Sequence, residues 1–343
     1  MNAEPHPRAR ADPLAGPARW RRLAALLAEP GPARFIDAPP AGLAADLELA
    51  ALLAQGAAPA SCECRVLIFD ATRPGVCRLG DVVGAVPPPP SAIRCRWTAV
   101  RWDRNRDGAL SSRGGAMTAA DARTAVLEAH AVVVVVDYRE VVADERRAQR
   151  IAGIVAPWLR LAAEWTAPEL LTLAVDAVEW SNSVPESRLG WTRRVVRDRL
   201  ALPDGWPAEG ITEMSTARAF AAIGREARGA APPGFAERER ADQGVDAVLD
   251  RTIGPFDQDP AHFFALAAMS TARASFRRAA TALGEMLAAR PADPGLDPDG
   301  LSSGRSAGRR QAWLVAEGLA GSLAAAGDAL SDALDELRAA RPT

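Results

Sequence analysis

The sequence predicts an α/β protein: a doubly wound, mostly parallel sheet of the P-loop GTPase-like kind, flanked by N- and C-terminal helices that form a helical hairpin or bundle. Three observations carry the sheet. Short apolar runs lack the in-and-out alternation of a half-exposed strand, as strands covered on both faces do. Turn formers bound each run, and stretches with apolar residues at three- and four-residue spacing lie between them.

Taken in order, residues 1–60 read as an N-terminal helical segment with a frayed tail. Its patterns run from Arg19 to Leu27 and from Leu43 to Leu53, parted by a proline-rich bend. From Cys64 the texture changes. Arg65 to Phe69, Ile93 to Trp102, Ala131 to Val136 and Leu170 to Val175 read as strands, and Ala119 to Ala129 and Asp144 to Glu164 as helices between them. This places an α/β domain over residues 61–255. The remaining residues, 256–343, hold two long alanine-rich patterns, Ala261 to Leu287 and Ala312 to Ala340, joined by a loop rich in Pro, Gly, Asp and Ser. An antiparallel helical hairpin is the simplest arrangement of such a pair.

Composition removes several function classes. The chain of 343 residues carries 41 basic and 43 acidic residues, a formal charge of -2, so no basic excess exists to neutralise a nucleic-acid backbone. All of the basic residues are arginine, because the chain contains no lysine. Schiff-base chemistry and the lysine of a phosphate loop are therefore excluded. The apolar runs fall short of the roughly 20 residues a membrane-spanning helix needs, and the N-terminus lacks the apolar segment of a secretory leader. The expectation is a cytoplasmic protein. Cys62, Cys64, Cys77 and Cys95 are too few for a disulfide framework, and Cys62-Glu63-Cys64 has the wrong spacing for a zinc knuckle, so they read as buried or half-buried thiols with no metal. His130 and His262 stand apart from any Cys or carboxylate motif and read as packed or exposed side chains.

Ligands of open α/β sheets bind at the carboxyl ends of the strands, so those loops are where a function should be written. The first strand runs into Asp70-Ala71-Thr72-Arg73-Pro74-Gly75-Val76-Cys77, which has the length and second glycine of G-x-x-x-x-G-K-[ST]. Asp70 stands for the first glycine, Val76 for the lysine and Cys77 for the hydroxyl residue. The second strand leads to Asp103, with Gly108 two places late for D-x-x-G; Asp103, Asn105 and Asp107 also match the opening of a calcium loop, whose twelfth position is here Gly114. Val175 is followed by Asp176, an acid that can also cap the next turn. Thr216-Ala217-Arg218 and a glycine-led helix, Gly244 to Leu249, follow.

In this order of elements the chain resembles a bacterial dynamin-like, or Era-like, P-loop GTPase over residues 64–255. The resemblance implies a nucleotide site at Asp70, Arg73, Gly75, Val76 and Cys77 in the phosphate loop, Asp103 at the magnesium switch, Asp176 at the guanine-reading aspartate, and Thr216 and Ala217 in the buttress of the base. It also implies that the lysine and hydroxyl roles are vacant. The expectation is a catalytically inactive or strongly impaired GTPase-fold protein, with no catalytic residue and no cofactor, GTP and Mg²⁺ being at most weakly held. Such a chain serves as a scaffold or regulatory partner of a competent dynamin-like GTPase. The alternative is an active GTPase in which Arg73 or Arg78 replaces the phosphate-loop lysine. Arg305, Arg309, Arg310 and Trp313 form a basic patch that reads as a solvated loop, and peripheral membrane contact there is what the resemblance adds.

Overall fold

The computed structural model describes residues 18, 20, 21, 25, 40–57, 62–72, 79–85, 93–103, 109–112, 115–142, 144–176, 186–289 and 304–339. The chain divides into two compact units, one of residues 58–263 and one of residues 1–57 with 264–343. The division falls inside a single helix, Pro260–Ala288.

Among the described residues the central unit holds an α/β sheet of seven strands: β1 (Glu63–Asp70), β2 (Arg94–Asp103), β3 (Ala109–Ser112), β4 (Gly115–Met117), β5 (Ala131–Asp137), β6 (Leu171–Asp176) and β7 (Ile211–Glu213), in the order β4-β3-β2-β1-β5-β6-β7. β2, β1, β5, β6 and β7 are parallel, and β3 and β4 extend the β2 edge as an antiparallel meander. The meander was not foreseen: β3 and β4 are four and three residues long, too short to carry a period. The chain moves outward from β1 to β2 and then crosses back to β5 on the other side of β1. The strand order therefore reverses between β1 and β5, which is where a doubly wound sheet opens its crevice.

All seven residues of β5 and all six of β6 are buried. That is why neither strand alternates in sequence: each has helices on both faces. In the unit's own helices, α2 (Leu79–Ala85) follows β1, α3 (Ala119–Glu128) precedes β5, and α4 (Tyr138–Val141) and α5 (Glu145–Trp165) follow it. Next come α6 (Glu186–Leu200), α7 (Thr216–Ala227), α8 (Phe235–Asp242) and α9 (Val245–Gln258). On one face Leu67, Phe69, Val100, Val132 and Val134 meet Ala122 and Val126 of α3 and Trp158 and Ala162 of α5. The Phe69 and Trp158 rings stack with centroids 5.1 Å apart. On the opposite face the hydroxyls of Thr172 in β6 and Thr252 in α9 lie 3.4 Å apart.

Local chemistry fixes the element ends. Thr118 and Asp121 form a reciprocal capping box at α3, and Asp144 accepts from the Arg147 amide at the start of α5. β7 is only three residues long, and its approach to β6 depends on Gly210, where a Cβ would come within 2.8 Å of the Leu171 carbonyl oxygen.

In the second unit the described helices are α1 (Pro40–Leu53), residues 264–288 of α10 (Pro260–Ala288), and α11 (Gly304–Ala339). Leu47, Ala50 and Ala51 of α1 are fully buried, as are Ala265, Leu266 and Ala272 of α10 and Leu334 of α11. Arg277 of α10 donates to Asp328 and Ser331 of α11 at 3.4 and 3.1 Å. Among the described residues no helix is long and apolar enough to cross a membrane. Arg305, Arg309, Arg310 and Trp313, read from the sequence as a loop, lie within α11.

Candidate functional site at the carboxyl edge of the sheet

Besides β2, which ends in Asp103, three of the parallel strands end in aspartate: Asp70 on β1, Asp137 on β5 and Asp176 on β6. Register places them together. Asp70 pairs with Val135, two residues before Asp137, and Asp137 pairs with Asp176. Because strand side chains alternate, all three fall on the same face, the one α9 covers. Each is nearly inaccessible, at 1, 3 and 1% exposure.

A buried carboxylate has to be satisfied locally, and each of these is. Asp70 Oδ1 accepts the Thr72 amide at 2.9 Å and the Thr72 hydroxyl at 2.6 Å, an Asx turn that bends the chain as it leaves β1. The next amide, of Ala71, donates to the Val135 carbonyl across the point where strand order reverses. Asp137 accepts the Arg139 amide at 2.8 Å and so caps α4. At the far end of that short helix, Arg199 of α6 donates to the Val141 and Val142 carbonyls at 2.9 and 2.7 Å.

Asp176 is held most completely. Its Oδ1 accepts the Thr216 amide at 2.9 Å and its Oδ2 the Thr216 hydroxyl at 2.5 Å, across 40 residues of sequence. Thr216 is the first residue of α7, and the chain is brought there by two backbone bonds, Met214 N–H to the Val175 carbonyl and Ser215 N–H to the Gln243 carbonyl. Gly244, the residue before α9, packs its backbone against the end of β7. Its φ of +72° suits glycine, and a Cβ there would sit 2.5 Å from the Glu213 carbonyl oxygen.

Of the residues expected in the site, Asp70, Asp176, Thr216 and Ala217 are therefore at one edge of the sheet, with Asp176 and Thr216 in direct contact. Asp103 ends β2 at the same edge, its backbone paired with Ala109 at the start of the meander. Arg73, Gly75, Val76, Cys77 and Arg78 lie outside the described residues, as do residues 104–108 of the loop after Asp103.

Sequence reasoning missed two features of this edge. Asp137 is not among the site residues expected from the sequence, though its position follows from register with Asp176. Glu213, the last residue of β7, is 5% exposed, and neither of its carboxylate oxygens has a hydrogen-bond partner among the described residues. It pairs with Val175, one residue before Asp176, and so projects from the other face. A three-residue strand gave no periodic signal by which to find it.

His130 and His262 are both buried, His130 taking the Arg65 amide on Nδ1 at 3.2 Å and His262 lying edge-on to Phe263. Among the described residues no group of three or more His, Cys, Asp and Glu is placed to hold a metal ion. Chemically, the edge is an acidic, internally bonded rim. No family model and no curated protein matches this chain.

Proposed function

We propose that this is a GTPase-fold protein of the P-loop kind that has lost turnover and works by protein contact, as a scaffold or regulatory partner of a competent dynamin-like GTPase. The observation that carries the reading is the Asp176–Thr216 interlock. These are the two positions that the resemblance assigns to guanine reading and to the buttress of the base. They meet as that assignment requires, yet the carboxylate is buried, with each oxygen already taking a Thr216 donor.

The phosphate end points the same way. Asp70 sets a carboxylate at the root of the loop, and two like charges about 4 Å apart oppose each other by about 4 kcal/mol at an effective dielectric near 20. No lysine exists in the chain to offset that repulsion, and Cys77 stands where a hydroxyl would hold Mg²⁺. Micromolar affinity corresponds to about 8 kcal/mol, so the repulsion alone removes a large part of it. For contact with a protein, the unit offers Trp191 on α6 and Phe220 on α7, large side chains 44 and 42% exposed.

The test is a titration of the full chain with fluorescently labelled GTP and Mg²⁺, with phosphate release followed in parallel. The expected result is no saturation at micromolar nucleotide and no release above the buffer rate. Micromolar binding with hydrolysis overturns the proposal. Loss of that hydrolysis in Arg73→Ala or Arg78→Ala would then establish the arginine-dependent enzyme instead.

A further inference from the structure

At the opposite, amino edge of the sheet, Cys64 of β1 and Cys95 of β2 are direct neighbours in register. Parallel neighbours lie about 4.7–4.9 Å apart and point their side chains to the same face. That spacing is inside the Cα range of about 4.4–6.8 Å that a disulfide spans. The two thiols are reduced and hydrogen-bond each other. They differ in access, since Cys64 is fully buried and Cys95 is half-buried. A third thiol, Cys62, lies two residues before Cys64 on the same face and is 1% exposed.

We propose that Cys95 and Cys64 form an oxidant-reactive dithiol that takes hydrogen peroxide and closes to a reversible disulfide between β1 and β2. Cys95 is the attacking sulfur. Its thiolate displaces one peroxide oxygen; the S–O bond forms, the O–O bond breaks, and the departing hydroxide takes a proton to leave as water. Cys64 then gives up its proton and attacks the Cys95 sulfur; the S–S bond forms, the S–O bond breaks, and a second water leaves. Two sulfurs together lose two electrons and one peroxide gains them.

The division of labour follows from surroundings. The hydrogen bond from Cys64 draws the Cys95 thiol below its ordinary pKa against the opposing effect of burial, which favours the reactive thiolate at the accessible sulfur. The same hydrogen bond, with burial, pushes Cys64 up and keeps it a protonated resolving thiol; Arg65 opposes this weakly and Asp257 of α9 adds to it. The Cys95 sulfur also faces the Ile93 carbonyl at 4.0 Å, too far to restrain it. A disulfide needs its Cβ atoms about 3.5–4.5 Å apart, closer than parallel neighbours stand, so the bond forms under strain and reduces readily.

The experiment treats the full chain with stoichiometric hydrogen peroxide, blocks remaining thiols by alkylation, and maps tryptic peptides by mass spectrometry without reduction. Cleavage at arginine puts Cys62 and Cys64 together on peptide 35–65, Cys95 on the dipeptide 95–96 and Cys77 on peptide 66–78. The expected product is 35–65 joined to 95–96, with loss of two hydrogens and release by dithiothreitol. The link persists in Cys62→Ala and disappears in Cys95→Ala. The Cys62→Ala chain decides without touching the pair, because Cys64 is then the one thiol left on its peptide. A link lost in that variant, a link to peptide 66–78, or full alkylation of Cys95 after peroxide overturns the proposal.

Discussion

Thr216 closes on Asp176 with both of its donors, the backbone amide at 2.9 Å and the hydroxyl at 2.5 Å, each to a different carboxylate oxygen. The contact ties the end of β6 to the start of α7 and lies wholly out of water. Hydrogen bonds to a buried charged group contribute about 1.5–3 kcal/mol each. Thr216→Val, which keeps the shape and removes the hydroxyl, should lower unfolding stability by about that amount in a urea titration, whereas Thr216→Ser should retain most of it. If the proposed function is right, neither variant gains or loses nucleotide affinity.

Gly244, next to the Gln243 carbonyl that accepts the Ser215 amide, packs its backbone against Glu213. Gly244→Ala places a side chain at φ +72° and a Cβ 2.5 Å from the Glu213 carbonyl oxygen. Backbone strain of this kind costs about 1–3 kcal/mol, and the overlap adds to it. Thermal melting should show a clear drop for Gly244→Ala. By contrast Gly153→Ala, on the exposed side of α5 with nothing within 4 Å of the added Cβ, should gain about 0.5–1 kcal/mol.

Glu226 accepts the Ala236 amide at 2.7 Å and the Gly234 amide at 3.0 Å, and so satisfies the amino end of α8 from the last turn of α7. These backbone bonds hold its carboxyl below the usual glutamate range. A carboxylate depressed in the folded state adds stability above its unfolded pKa and loses it as pH falls through the folded value. Glu226→Gln should therefore be less stable than the natural chain at neutral pH. The gap should narrow on acidification through the carboxylate range, read from chemical denaturation at a series of pH values.

Arg240 of α8 is paired with Asp246 of α9 at 2.5 Å, with side chains 3 and 18% exposed. Removing one member of a buried pair costs about 3–5 kcal/mol, mostly because the other charge stays in a low-dielectric setting. Asp246→Ala should be destabilised by that order in urea. The double variant Asp246→Leu with Arg240→Met should recover most of the loss, because it removes both desolvation costs together.

Much of the sheet was legible. The runs ending at Phe69, Trp102, Val136 and Val175 mark β1, β2, β5 and β6 to within two residues at each end; β5 and β6, buried throughout, are legible because they are apolar on both parities, whereas β2 carries Arg94, Arg96 and Arg101 between its apolar residues. The helices read over Ala119 to Ala129, Asp144 to Glu164 and Ala261 to Leu287 match α3, α5 and α10 for the complementary reason, their apolar residues recurring at helical spacing. β3, β4 and β7 escaped notice. Strands of three or four residues owe their existence to hydrogen bonds from a neighbour, and no pattern within them announces it. The start of α11 at Gly304 was also missed, since Gly304 to Gln311 is polar and carries no apolar face.

What the sequence determined by itself is where apolar and turn-forming residues fall, and hence the α/β class, most strand and helix positions, and the exclusion of lysine chemistry. Only the tertiary structure decided which acids share an edge, that Thr216 closes on Asp176 across 40 residues, and that Cys64 meets Cys95. The reason is physical. Patterning is a property of neighbours along the chain, whereas strand order and register are set by which strands pair. A shift of one residue would turn every one of these side chains to the other face of the sheet.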